Sequence, residues 1–143
     1  MAAIWARPID LAQLTALGDG VLPGLLEIEF TDVGDNWIRA RMPVGPKVHQ
    51  PFGRLHGGAS VVLAETVASV AGAMVVPEGK VTVGLDINAN HVRAARDGHV
   101  HATARAEQLG RTTQVWTIRI EDDAGKLVCL SRMTAAVIDA AAG

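Results

Sequence analysis

From Ala59 to Val76 the chain reads ASVVLAETVASVAGAMVV, eighteen residues in which Glu65 is the one charge. This length and near-continuous apolarity predict a helix with little exposed surface. Upstream, Ile9 to Leu17 has the spacing of a short amphipathic helix, ended by Gly18-Asp19-Gly20. Leu26 to Thr31 alternates apolar and polar side chains, the mark of a half-buried strand, and Gly34-Asp35-Asn36 turns it into a partner at Trp37–Met42. Pro43, Gly45, Pro46 and Pro51 impose a loop before the long helix, and Pro77-Glu78-Gly79-Lys80 closes it.

Everything downstream is strand-like. Val81, Val83, Leu85, Ile87 and Ala89 fall on one face of a strand, with Thr82, Asp86, Asn88 and Asn90 on the other. His99 to Glu107 sets Val100, Ala102, Ala104 and Ala106 against His101, Thr103 and Arg105, and Trp116, Ile118 and Ile120 continue the alternation. A hairpin turn at Asp122–Gly125 leads to Leu127–Ile138, apolar enough on both faces to predict a strand covered on both sides. Two strands, one long helix and four strands make an α+β layer architecture. The helix is apolar nearly all round, so either the sheet curls around it or a second copy of the chain covers it.

At 143 residues the chain reads as one domain, 1–143, large enough for a real core, and its 49% hydrophobic content excludes disorder. Thirteen basic and fifteen acidic residues are spread without a basic cluster, which argues against a nucleic-acid or membrane-surface partner. Cys129 alone excludes an internal disulfide and fits a reducing cytoplasm; no signal peptide is evident, and the acid within 59–76 favours a buried soluble helix over a transmembrane one.

Glu65 is the candidate working group. An acid in an apolar helix is costly unless it has a use, and the glycines before that helix leave its first amides available to a developing negative charge. Glu65 either attacks a carbonyl or deprotonates a water that does, and the Gly57 amide is the candidate oxyanion donor. A buried acid paired with a structural base is the bland alternative for Glu65, a tight entry turn that for Gly57. His56 either orients this turn, hydrogen-bonds near the carbonyl, or is a structural histidine. Eight residues separate Gly57 from Glu65, about 12 Å along a helix axis. One carbonyl must approach both within about 3 Å, so two antiparallel helices from a two-fold dimer would close the gap. Gly58 and Gly72, seven residues either side of Glu65, leave room for that approach. His99 and His101 share a strand face without neighbouring ligands, so no metal is expected, and Cys129 reads as packing. No Gly-x-Ser-x-Gly elbow occurs.

Gln50-Pro51-Phe52-Gly53, Leu55-His56-Gly57-Gly58-Ala59-Ser60 and Leu63-Ala64-Glu65 together resemble the hotdog-fold acyl-CoA thioesterases. They are similar to the branch typified by the Arthrobacter-type 4-hydroxybenzoyl-CoA thioesterase, whose acid is a helix Glu. Val83 to Arg93, with Asn88-Ala89-Asn90-His91, is similar to a narrower group of 1,4-dihydroxy-2-naphthoyl-CoA hydrolases of menaquinone synthesis and enterobactin proofreading thioesterases. The resemblance implies an α+β hotdog fold, a long central helix wrapped by an antiparallel sheet of about six strands, assembled as a dimer of dimers. It implies hydrolysis of an aromatic acyl-CoA, with coenzyme A as part of the substrate and no cofactor. It also implies that Gln50 positions the carbonyl or water and that Ser69 hydrogen-bonds the acid or substrate. Coenzyme A contacts would fall at Gly84, at His91-Val92-Arg93-Ala94, and at Gln108-Leu109-Gly110-Arg111-Thr112-Thr113. Arg54 departs from the aliphatic residue usual there. The competing readings are an acyl-carrier-protein thioesterase, an enoyl-thioester hydratase and a non-catalytic acyl-CoA-binding module.

Overall fold

The computed structural model describes residues 2–141. Its elements run α1 (Leu11–Ala16), α2 (Leu22–Leu25), β1 (Glu29–Val33), β2 (Trp37–Pro43), a 3-10 turn at Pro46–Val48, α3 (Gly57–Val75), β3 (Lys80–His91), β4 (His99–Leu109), β5 (Thr113–Asp122) and β6 (Leu127–Asp139). The six strands form one antiparallel sheet in the order β1-β2-β4-β5-β6-β3. This is the expected hotdog architecture, with α3 lying against β2, β3, β4, β5 and β6.

The packing of α3 follows from its spacing. Ser60, Leu63, Ala64, Val67, Ala68 and Ala71 recur every three or four residues and are buried, a continuous stripe pressed on the sheet. Facing it are Ile38, Ala40, Met42, Val100, Ala102, Ala104, Trp116, Ile118 and Ile120, all fully buried. Each large apolar side chain so placed contributes about 1.5–3 kcal/mol. The far end of α3 is closed by Arg7, whose Nη2 and Nη1 donate to the carbonyls of Ala73 (2.8 Å) and Val76 (3.3 Å). A cation there also suits the negative end of the helix dipole.

Four expectations are corrected. The first strand starts at Glu29 rather than Leu26, because Leu26 caps α2 and Glu27 turns the chain through a left-handed conformation, φ 58°. α2 itself was not anticipated, although Leu22-Pro23 places a proline in the first helical turn, where it is favoured. The β3 residues do not share one face. A bulge between Gly84 and Asp86 shifts the register, so Ile87 and Ala89 pack on the core while Val81, Val83 and Leu85 stay exposed. Finally, β6 is covered on one side within the chain: Cys129, Ser131, Met133 and Ala135 are buried, whereas Leu130, Arg132 and Ile138 are exposed. The boundaries of α1 and α3 differ by only a residue or two from the periodic segments.

Candidate active site

α3 begins where the chain leaves the turn at Gln50–Gly53, in which Gly53 takes φ 78° and its N–H donates to the Gln50 carbonyl. His56 is the N-cap. Its Nδ1 accepts from the Gly58 N–H at 2.8 Å, and its carbonyl accepts from Ala59 and Ser60. An Nδ1 that accepts must carry its proton on Nε2, so the neutral ring presents a single N–H donor away from the helix. His56 is thus bonded into the turn through Nδ1 and its carbonyl. These bonds occupy three of the first four amides, and the Gly57 N–H is the one not used in capping. The ring of His91, at the end of β3, lies over Gly57: a Cβ at residue 57 would stand 2.9 Å from His91 Nε2.

Gln50 is engaged in its own turn by one end of its side chain. Its side-chain oxygen accepts from the Phe52 N–H within its own turn, leaving the amide NH2 as the group able to reach a ligand.

Glu65 is exposed in the single chain, which corrects the expectation of a buried acid. It sits on the side of α3 turned away from the sheet and lines a pocket of about 330 Å³ with Leu22, Pro23, Val62, Thr66, Ser69 and Val70. Ser69 shares this pocket, one turn beyond the acid, and its hydroxyl reaches Met133 Sδ at 3.7 Å. Gly57, His56 and Gln50 do not line it. The acid and the Gly57 end of the helix are therefore separate within one chain. Gly72 does not open space for a second helix either: it is buried, and a Cβ there would meet Gln114 Oε1 at 2.6 Å.

The coenzyme A candidates also divide. Val92 and Arg93 donate their amides to the Val128 carbonyl at the start of β6, whereas Val137, at its other end, donates to the Thr112 carbonyl. Val128 and Val137 are nine positions apart along the strand, about 30 Å. Gly84 pairs with Ala135 and Thr113 with Ala136, so Gly84 and Gln108–Thr113 gather at the far end of β6. His91, Val92, Arg93 and Ala94 gather with Gly57 at the near end. Gly110 is held by its own hairpin, its N–H donating to the Thr113 carbonyl at 2.8 Å, while Leu109, Arg111 and Thr112 are exposed. Arg54 is exposed on the turn beside Gln50.

His101 Nε2 meets Asp123 Oδ1 at 2.7 Å, and the His99 and His101 rings stand 6.3 Å apart. Among the described residues no group of three or more His, Cys, Asp or Glu is arranged to hold a metal. Cys129 is buried, and burial pushes its thiol pKa upward, an environment for packing rather than nucleophilic attack. The pocket-lining Val62, Thr66 and Val70 were not singled out from the sequence, although their helical spacing around Glu65 carries the signal.

The Thioesterase superfamily model matches residues 52–129. α1 and α2 lie outside that span. The 1,4-dihydroxy-2-naphthoyl-CoA hydrolase of Escherichia coli K12 is 50% identical over 135 residues, covering 94% of this chain and 99% of that protein. A proofreading thioesterase, EntH, of Cronobacter turicensis is 44% identical, covering 94% and 98%. The crystal structure of a mutant thioesterase from Pseudomonas aeruginosa superposes with TM-score 0.95 at 47% identity, covering 96% of this chain and 100% of that one. A solved Haemophilus influenzae thioesterase gives TM-score 0.93 at 48% identity, covering 95% of each chain. With a single acid on the open side of a helix seated in a six-stranded sheet, and these relatives along almost its whole length, the chain belongs to the hotdog Thioesterase superfamily and is a thioester hydrolase acting on acyl-CoA.

Proposed function

We propose that the chain hydrolyses an aromatic acyl-CoA, with 1,4-dihydroxy-2-naphthoyl-CoA the first substrate to test and hydroxybenzoyl-CoA the second. The observation that carries this is Glu65, the one charged side chain in an otherwise mostly apolar pocket. The 50% identity to a hydrolase of that naphthoyl thioester supports the acyl class.

Glu65 works by one of two routes. Its carboxylate attacks the thioester carbonyl, the C–S bond breaks, and water then splits the mixed anhydride into acid and regenerated carboxylate. Alternatively it takes a proton from a water whose oxygen attacks, and the expelled thiolate takes a proton as it leaves. In both, negative charge builds on the carbonyl oxygen, and the Gly57 amide at the positive end of α3 donates to it. Ser69 orients the acid or the acyl group, and the Gln50 NH2 is the donor left for the carbonyl or the water. No cofactor is needed for these steps.

The site is completed by a second copy of the chain. β3 is a twelve-residue edge strand exposing Val81, Val83 and Leu85, which invites antiparallel pairing with itself. Pairing centred between Leu85 and Asp86 would set His91 beside the partner's Lys80. That joins the His91–Ala94 end of one copy to the Gly84 and Gln108–Thr113 end of the other, giving one coenzyme A two sets of contacts. α3 runs opposite to β3, since Gly57 lies by His91 and a Cβ on Gly72 would be 3.5 Å from Thr82 Oγ1. The paired helices would therefore be antiparallel, with Gly57 of each facing the later turns of the other. Two such dimers give the tetramer.

Thiol release from acyl-CoAs tests the reading. Glu65→Ala is expected to lose about 10²–10⁴-fold in kcat with its fold intact. Turnover at the native rate overturns it. The identity to a proofreading thioesterase makes acyl-carrier protein the second carrier to try.

A further inference from the structure

We infer that α2 forms a specificity wall of the acyl pocket, with Leu22 and Pro23 in contact with the acyl group of the thioester. The inference rests on the reading that Glu65 drives cleavage of that thioester by either route.

The pocket has two sides. Val62, Glu65, Thr66, Ser69 and Val70 come from α3, and Leu22 and Pro23 come from α2 across it. Polar atoms that can address a carbonyl are all on the α3 side. The α2 side offers only hydrocarbon, and Leu22 keeps 52% of its surface open although it belongs to no core cluster. An apolar side chain on a cavity wall, opposite the reacting group, is what recognises the body of an apolar substrate rather than its reacting atoms.

α2 is also held firmly enough to act as a wall. Gly24 donates its N–H to the Gly18 carbonyl at 2.9 Å, and a Cβ on Gly24 would fall 2.1 Å from that oxygen. Only glycine permits this contact, which docks the start of α2 on the end of α1. α1 is in turn tied to β1, because Thr15 Oγ1 accepts the Phe30 N–H at 2.9 Å. The four-residue helix is thus fixed to the sheet at one side and faces α3 at the other. It lies outside residues 52–129, the span that the superfamily model matches. The chemistry it selects is a flat apolar acyl group lying between Leu22 and Pro23 on one side and Val62 and Val70 on the other.

The test is kcat/KM for a naphthoyl-CoA and for acetyl-CoA, taken as a ratio, in Leu22→Trp, Leu22→Ala and Leu25→Ala. Filling the wall or stripping it should each lower the naphthoyl-to-acetyl ratio about tenfold or more. Leu25, exposed and outside the pocket, should leave the ratio at its native value when truncated. An unchanged ratio in a folded Leu22 variant overturns the inference, as does an equal shift in Leu25→Ala, which would signal general disruption of α2. Should Leu22→Trp fail to unfold cooperatively in urea, Leu22→Ala decides alone. Glu65→Ala on the same two substrates separates the two readings. An inactive Glu65→Ala with unaltered Leu22 ratios removes only the wall, whereas a fully active one removes the catalytic reading beneath it.

Discussion

The imidazole of His91 covers the α-carbon of Gly57, with Nε2 only 2.9 Å from where a side chain would begin. The last residue of β3 is thereby seated on the first residue of α3, and any side chain at 57 must push the ring away. Gly57→Ala is expected to lower the melting temperature, and His91→Ala in the same chain to relieve part of that loss. A double-mutant cycle read by urea unfolding should show non-additivity of about 0.5–1 kcal/mol. Strict additivity would mean the ring yields without resistance.

Val83 and Leu85 are exposed at 43% and 61% on the outermost strand, where unpaired backbone groups also lie. A lysine at both positions should shift the sedimentation mass toward a single chain and suppress turnover together with it. Mixing Glu65→Ala with Gly57→Val protomers should recover part of the activity, because one of two shared sites then holds an intact pair. Absence of any recovery under conditions that exchange subunits counts against a shared site.

Gln114 is buried and joins two layers: its Oε1 accepts from Trp116 Nε1 at 2.9 Å, and its Nε2 donates to the Gly72 carbonyl at 3.3 Å. Gln114→Met keeps the volume but leaves the indole N–H without an acceptor in the core. A loss of about 1–3 kcal/mol is expected from urea denaturation. A change within experimental error would show that the indole finds another partner.

Hydrogen bonds from His101 and from the His99 backbone N–H hold the Asp123 carboxyl below the usual carboxylate range. A depressed folded-state pKa gives stability that is present above the unfolded value, about 4, and is lost as pH falls through the folded one. The melting temperature of Asp123→Ala should therefore lie below the native value at pH 5, with the gap narrowing by pH 3. A gap that widens in acid would reverse the sign and refute the assignment.

Much of this protein was legible in the order of its residues. The α3 segment, the hairpin of β1 and β2, and the alternation of β4 and β5 follow from helical and strand periods that packing reinforces. Glu65 stood out because one charge interrupts a long apolar run, and Gly57 because glycines precede a helix. Contacts distant in sequence were not legible. Leu22 and Pro23 share a pocket with Glu65 across 42 or more residues of sequence, with α2 docked by the Gly18–Gly24 contact, and Arg7 closes α3 from 66 residues away. Nor does a period-two pattern report a bulge: the apolar residues of β3 look uniform until the register slips at Gly84–Asp86 and leaves three of the five facing outward. Local periodicity records which face of an element is apolar. Only the folded chain decides what that face meets, since burial depends on neighbours that the sequence places far away.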